Sequence, residues 1–294
     1  MDAIKNACLQ KWSDGQELDE RLTKFNTDFE CWIEQIPEKN RETVLTLIQH
    51  MEYYSHKNVN KWLENLHQKL LSVSSVNDEN TIYVFIKSEW GKTNSSNDYW
   101  TEYKALNHLN PNICIENITA LDDDDFGYIE NIIYIDDFCG SGGSFLKEIK
   151  RYPERLKGKN VYYITINMML SAIDEIENYC TAYNIGIVFL SACSQEKAFC
   201  RHLFTDDESA KKEIVEMSDS LLIKRFVLGY KGSQSLVAFY NNTPNNSLGF
   251  IHVDTPNYKS IFPRSMDTIP TWMKLKKQRK RQKNTNLNNK KNGV

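Results

Sequence analysis

Ile132-Ile133-Tyr134-Ile135-Asp136-Asp137-Phe138-Cys139-Gly140-Ser141-Gly142-Gly143-Ser144 is the stretch whose reading decides the fold. An apolar run ends in two adjacent acids, a turn of small residues follows, and helical spacing begins at Phe145, Leu146 and Ile149. The run is short, β-branched and aromatic, with Asn131 before it and glycines after it. That pattern predicts a strand buried on both faces. In an open parallel sheet, ligands bind beyond the carboxyl ends of the strands, where Asp136 and Asp137 are expected. The turn leads into a helix start, whose unpaired N–H groups and dipole favour a phosphate. Glycines let the backbone approach an anion closely, and Ser141 and Ser144 add hydroxyl donors. Acids for ribose hydroxyls or Mg²⁺, beside amides for phosphate, suit a sugar phosphate. An ordinary strand-to-helix turn with a chance Asp-Asp is the plainer alternative. A Walker-type loop is excluded, because no Lys follows the glycines in GK[ST] form.

Working outward, strand and helix patterns alternate. Residues 81–86 read as a strand and 98–109 as a helix. Residues 112–119 read as a strand, 160–168 as a strand, 170–183 as a helix and 185–190 as a strand. This alternation predicts an α/β fold with a central, mainly parallel sheet flanked by helices. Residues 222–227 and 235–240 are further strand candidates around a glycine-punctuated loop, and 201–212 reads as a polar surface excursion. Before the first strand, three apolar stripes at helical spacing predict an N-terminal helical cap over 17–72. They are Leu18 to Ile36, Val44 to Tyr54 and Val59 to Leu70. The boundaries predicted are a helical region over 1–75, the α/β domain over 76–270 and a basic tail over 271–294. The acidic run Asp122–Asp125 lacks the alternate ligands and central Gly of a Ca²⁺ loop. It reads as a solvated loop or a helix cap.

Composition bounds the rest. At 294 residues with 40% apolar content, the chain can bury one large core or two modest ones. No run approaches the roughly 20 apolar residues of a membrane span, and the first residues lack the apolar core of a signal peptide. A cytoplasmic protein without a membrane partner is expected. Seven cysteines without CxxC spacing are expected to be reduced thiols. Of these Cys139 lies inside the phosphate loop, as filler or as a nucleophile. Of the 36 Lys and Arg, nine fall in 274–294, which holds no acid; the other 27 stand against 39 Asp and Glu. An acidic body with a basic tail points to a partner for the tail. Lys276, Lys277, Arg279, Lys280 and Arg281 are the densest part of it. With few apolar residues the tail is predicted to be disordered alone, and its charge suits RNA or DNA.

Four apolar residues, two acids and a glycine- and serine-rich turn resemble the PRPP-binding signature of type I phosphoribosyltransferases. The resemblance implies that Asp136 and Asp137 contact the ribose hydroxyls of PRPP, with Mg²⁺ arriving on the ligand. It implies that the loop from Cys139 through Gly140, Ser141, Gly142, Gly143 and Ser144 holds the 5′-phosphate. Gly140 stands where several purine-salvage members carry an Asp used as a base. The loop after the first strand contacts pyrophosphate in such enzymes, and Lys87, Ser88, Gly91 and Lys92 occupy that place. A plain polar loop fits the same residues. The family's usual Gly-Lys-Ser-Gly-type stretch appears here only as Gly91-Lys92-Thr93-Asn94.

A second resemblance rests on Gly229-Tyr230-Lys231-Gly232-Ser233-Gln234-Ser235-Leu236-Val237, Asn242-Thr243-Pro244-Asn245-Asn246 and Phe262-Pro263-Arg264. This half is similar to phosphoribosyltransferase-like proteins of bacterial conflict and antiphage islands, including retron-associated ones. It implies a defence role with a protein or ribonucleoprotein partner. Three functional classes remain open on sequence: an enzyme acting on PRPP or a nucleotide, a PRPP- or nucleotide-sensing module, and a structural subunit of a ribonucleoprotein.

Overall fold

The computed structural model describes residues 1–87 and 95–264, so the predicted basic tail lies outside the described residues. Helix α1 spans Asp2–Ser13, α2 Glu20–Glu34 and α3 Arg41–Gln49. Asp19 caps α2 by accepting from the Leu22 amide, and the predicted stripe Leu22, Phe25, Phe29, Trp32 and Ile33 is buried. Helix α1 gives little sequence signal because it buries only Cys8, Trp12 and Ser13. Strand β1, Glu52–Tyr54, then leads into α4, His56–Val73, whose buried face carries Val59, Leu63, Leu66 and Leu70.

The sheet starts with β2, Thr81–Phe85, followed by α5, Ser95–Leu106, and β3, Cys114–Ile115. Strand β3 is shorter than the predicted 112–119, because 3₁₀ turns at Pro111–Ile113 and Ile118–Ala120 take both ends. Asp122 caps the short α6, Asp123–Gly127, accepting from the Asp125 amide at 2.8 Å, so the acidic run is a helix start. Strand β4 runs Asn131–Cys139, α7 Gly143–Ile149 and α8 Pro153–Leu156. Next come β5, Asn160–Met169, α9, Leu170–Ala182, and β6, Gly186–Gln195.

All five strands are parallel, in the order β3-β2-β4-β5-β6. Ile132 to Ile135 in β4 are fully buried, as a strand covered on both faces requires. Numbered within the sheet the order is 2-1-3-4-5, so the connections diverge between β2 and β4. The crevice beyond the carboxyl ends of strands at such a switch point is where doubly wound sheets bind ligands.

The last third departs from expectation. Residues 201–212 are not only a polar excursion: they contain the start of α10, Asp207–Ser220, capped by Asp206, with Ala210, Ile214 and Met217 buried. Residues 222–227 are not a strand. Leu222 and Phe226 both take positive φ, which a strand cannot accommodate. Strand β7 is Val237–Phe239 and α11 is Gly249–His252. Strand β7 joins no strand of the main sheet; it pairs in parallel with β1.

Residues 1–264 form one unit around two apolar clusters. One surrounds the sheet and takes in α4, α5, α7 and α9. The other joins α1–α3 to residues 198–262. The β1–β7 ribbon divides its side chains between them. Tyr54, Val237 and Phe239 enter the sheet cluster, and Tyr53 and Ala238 enter the other, as strand alternation dictates.

A buried polar network ties the clusters together. Asn167 donates to the Tyr54 hydroxyl at 2.9 Å and accepts from Gln195 Nε2 at 2.9 Å, while Gln195 Oε1 accepts from the Leu236 amide. Asn167→Leu takes the acceptor from Gln195 Nε2 and the donor from the Tyr54 hydroxyl, at about 1–3 kcal/mol for each buried partner lost. At roughly 2–4 °C per kcal/mol for a unit of this size, thermal denaturation should show a melting temperature lower by at least about 4 °C. Adding Gln195→Leu should cost less than the sum of the single changes, because both act on one network.

Candidate functional site

Strand β4 does not stop at the acids. It continues past them to Cys139, with Asp136 opposite Thr165 and Phe138 opposite Asn167 on β5. Asp136 is therefore enclosed, at 6% exposure. Its Oδ2 accepts from the Tyr163 hydroxyl at 3.1 Å and its Oδ1 from the Asp137 amide at 3.0 Å. Burial, reinforced by the adjacent Asp137, pushes the Asp136 carboxyl well above the usual carboxylate range and favours its neutral form. Tyr163 is held by face-to-face stacking on Phe145 of α7, at 4.1 Å between ring centres. Asp137 is half-buried, and neighbouring strand residues point to opposite faces. On α5, Tyr99 carries a buried hydroxyl with no partner among the described residues. Burial and then the charge of Asp137 raise its phenol pKa.

The small-residue turn fits its predicted place. Gly142 takes φ +67 before α7, and a Cβ there would press on Ile176 and the Ala172 carbonyl. Cys139 is buried, and burial with Asp136 nearby pushes its thiol up to about 12. At neutral pH it is a protonated filler and not a thiolate nucleophile. A cleft of about 450 Å³ opens over this turn, lined by Asp136 and every residue from Phe138 to Phe145.

The far wall of that cleft comes from 230–246, through Tyr230, Lys231, Asn245 and Asn246. Two segments are laced together there. The Tyr230 amide donates to the Asn245 carbonyl, and the Ser235 amide and Ser233 hydroxyl donate to the Asn246 carbonyl. Gly229, at φ +76, lies so close to the Asn246 carbonyl that no Cβ fits. The Asn246 side chain, which donates to Ser233 Oγ at 3.1 Å, fills the space where a residue at 140 would carry its Cβ. A side chain at 140 would have to displace the Asn246 amide from this place, whereas glycine leaves it undisturbed.

The structure brings Asp136 and Cys139 through Ser144 into one cleft. Lys87 stands at the end of β2 with Nζ 3.5 Å from Glu116, and does not line that cleft. Ser88, Gly91 and Lys92, and the tail cations Lys276, Lys277, Arg279, Lys280 and Arg281, lie outside the described residues. Sequence reasoning did not assign Tyr163, Lys231 or Asn246 to the site. The glycine spacing of 229–232 and the Asn-Asn pair at 245–246 were the available signals.

The raised pKa of Asp136 sets a sign for stability. Its contribution is complete below the ordinary Asp value of about 3.9 and is lost as pH rises through the raised folded value. Asp136→Asn removes that loss. The melting temperature of the variant minus that of the wild type should be near zero at pH 4 and a few degrees positive at pH 8. A difference that is flat or falls with pH would contradict the burial account.

No match is found among curated proteins. Among solved structures, the chain is similar to Helicobacter pylori xanthine-guanine-hypoxanthine phosphoribosyltransferase. Identity is 15% and the TM-score 0.31, over 47% of this chain and 84% of that one. The PRTase-CE family profile matches residues 29–264. That match runs from α2 through the sheet to the segment that walls the cleft, and the chain belongs to the PRTase-CE family, a family of the phosphoribosyltransferase type.

Proposed function

We propose that this protein is a phosphoribosyltransferase-like effector of a bacterial antiphage system, acting on PRPP or a nucleotide through a ribose-phosphate site. The observation that carries the reading is the meeting of Asp136 with the 139–144 turn in one cleft, with Asp137 next along the same strand. The loop amides and Lys231 would hold the 5′-phosphate. Ribose hydroxyls would donate to the two acids; a hydroxyl donating to Asp136 would favour its ionised form, and the pair would then help stabilise positive charge developing at the anomeric carbon. Catalysis would then rest on positioning and electrostatics. The defence role is supported by the resemblance of 229–264 to antiphage proteins, and an adjacent reverse-transcriptase gene would bear on a retron setting.

Oxygen donors suit Mg²⁺, but no group of three metal-ligating side chains is found among the described residues. The two acids fit a metal that arrives on the ligand's phosphates, where it would neutralise a leaving pyrophosphate.

A second reading is a sensing or regulatory subunit that binds the same ligand without turnover and acts on a nucleic-acid or protein partner. Gly140, which supplies no base, and the Asn246 amide packed against it favour this reading.

Calorimetric titration of Mg²⁺-PRPP with pyrophosphate release followed in parallel separates the two. The effector reading expects binding, release, and at least a tenfold loss of affinity in the Asp136→Asn/Asp137→Asn double variant, about 1.4 kcal/mol. Acid-dependent binding without release supports the sensor, and no binding to wild type removes PRPP as the ligand in both readings and favours a structural subunit or a ligand other than PRPP. For the tail, single-stranded nucleic acid is the expected partner. Deleting 274–294 should flatten the log–log salt dependence of RNA binding by several units, at roughly 0.7 per phosphate neutralised. An unchanged slope would remove the tail from that role.

A further inference from the structure

The cleft does not end at the phosphate turn. Gly143, Lys147 and Lys231 line it, and the same three residues line a second depression of about 360 Å³ that continues past α7. Lys150, Arg151 and, from α9, Glu175 line the extension. Positions 147, 150 and 151 are spaced i, i+3 and i+4, so they share one side of the helix and the turn that ends it. Lys231 reaches them from the opposite wall. Its Nζ lies 3.5 Å from the point a Gly143 Cβ would occupy.

Lys231 is an unusual residue to find there. It takes φ +54, a left-handed conformation that costs a non-glycine residue roughly 1–2 kcal/mol. The lacing of 229–235 onto 245–246 holds it there. Among the described residues its ammonium has no hydrogen-bonding or ionic partner. Lys150 extends over the Tyr179 ring at 4.8 Å, and Arg151 is engaged with the buried Glu148 at 2.7 Å. Four cations and one acid therefore surround the extension, which starts where a bound 5′-phosphate would end.

PRPP carries a monoester at its 5′ position and would leave this extension empty. We propose that the site takes a ribose 5′-diphosphate: the first phosphate on the 139–144 turn, the second between Lys231 and Lys150, and the attached nucleoside along α7. The ligand class is a nucleoside diphosphate ribose of the ADP-ribose type. This deepens the ribose-phosphate reading above and rests on it. Two adjacent phosphates match cations gathered within one helical turn. A depression of this volume holds a small molecule, whereas a polynucleotide strand needs cations that recur along a track.

The test is calorimetric titration of the full chain with ADP-ribose and with ribose 5-phosphate. Wild type should bind ADP-ribose at least tenfold more tightly. Lys150→Ala should remove threefold or more of that advantage while leaving ribose 5-phosphate within twofold, and Lys150→Arg should keep it. Lys231→Ala should weaken ADP-ribose at least tenfold. Equal affinity of wild type for the two ligands, or a Lys150→Ala change that weakens both alike, overturns the extension and leaves the ribose-phosphate site standing. No binding of either ligand overturns both. A short single-stranded RNA that binds more tightly than ADP-ribose with the same lysine dependence makes the depression a polynucleotide track and overturns the nucleoside diphosphate ribose assignment.

Discussion

Two parallel strands of three residues each decide whether the site has a second wall. Glu52, Tyr53 and Tyr54 pair with Val237, Ala238 and Phe239, and the pleat sends alternate side chains into two different apolar clusters. A shift of one residue would exchange the two sets and bury neither well. Segments 229–235 and 242–247 flank β7, so the places of Lys231 and Asn246 follow from this ribbon. Arg21 secures the same region from the amino-terminal side. Its guanidinium donates to the Phe239 carbonyl, the Thr243 hydroxyl and the Pro263 carbonyl, and lies over the Phe262 ring. The amino-terminal helices are thereby part of what shapes the cleft, although the cleft lining contains none of their residues.

Asn246 links that architecture to chemistry. Its carbonyl requires glycine at 229 and its side chain packs into the space left open by glycine at 140, so two positions far apart in sequence meet at one residue. The acid pair meanwhile divides its labour by burial. Asp136, enclosed beneath Tyr163 and beside a like charge, favours the neutral form, while Asp137 is more open and on the other face of the strand. A hydroxyl that donates to Asp136 would favour its ionised form, so ligand binding and the protonation of this acid are coupled.

Much of the fold was legible in the chain because its signals are local. The stripes of α2 and α4, the apolar run of β4 and the glycine turn before α7 each reveal themselves within about a dozen residues. Helix α10 was hidden by its polar first turn. The 222–227 run was misleading, since apolar composition does not report the positive φ at Leu222 and Phe226. Strands β1 and β7 are too short for periodicity to identify a partner, and they lie more than 180 residues apart.

The chain by itself determined a parallel α/β sheet, a central buried strand ending near two acids, and a small-residue turn able to hold an anion. Tertiary structure alone decided that β4 continues past those acids, that Asp136 is enclosed by Tyr163, and that Asn246 and Lys231 close over the turn. The physical reason is range. Backbone periodicity and turn chemistry act between near neighbours, whereas burial, the pKa it shifts and the space left beside a glycine depend on which distant segments pack together.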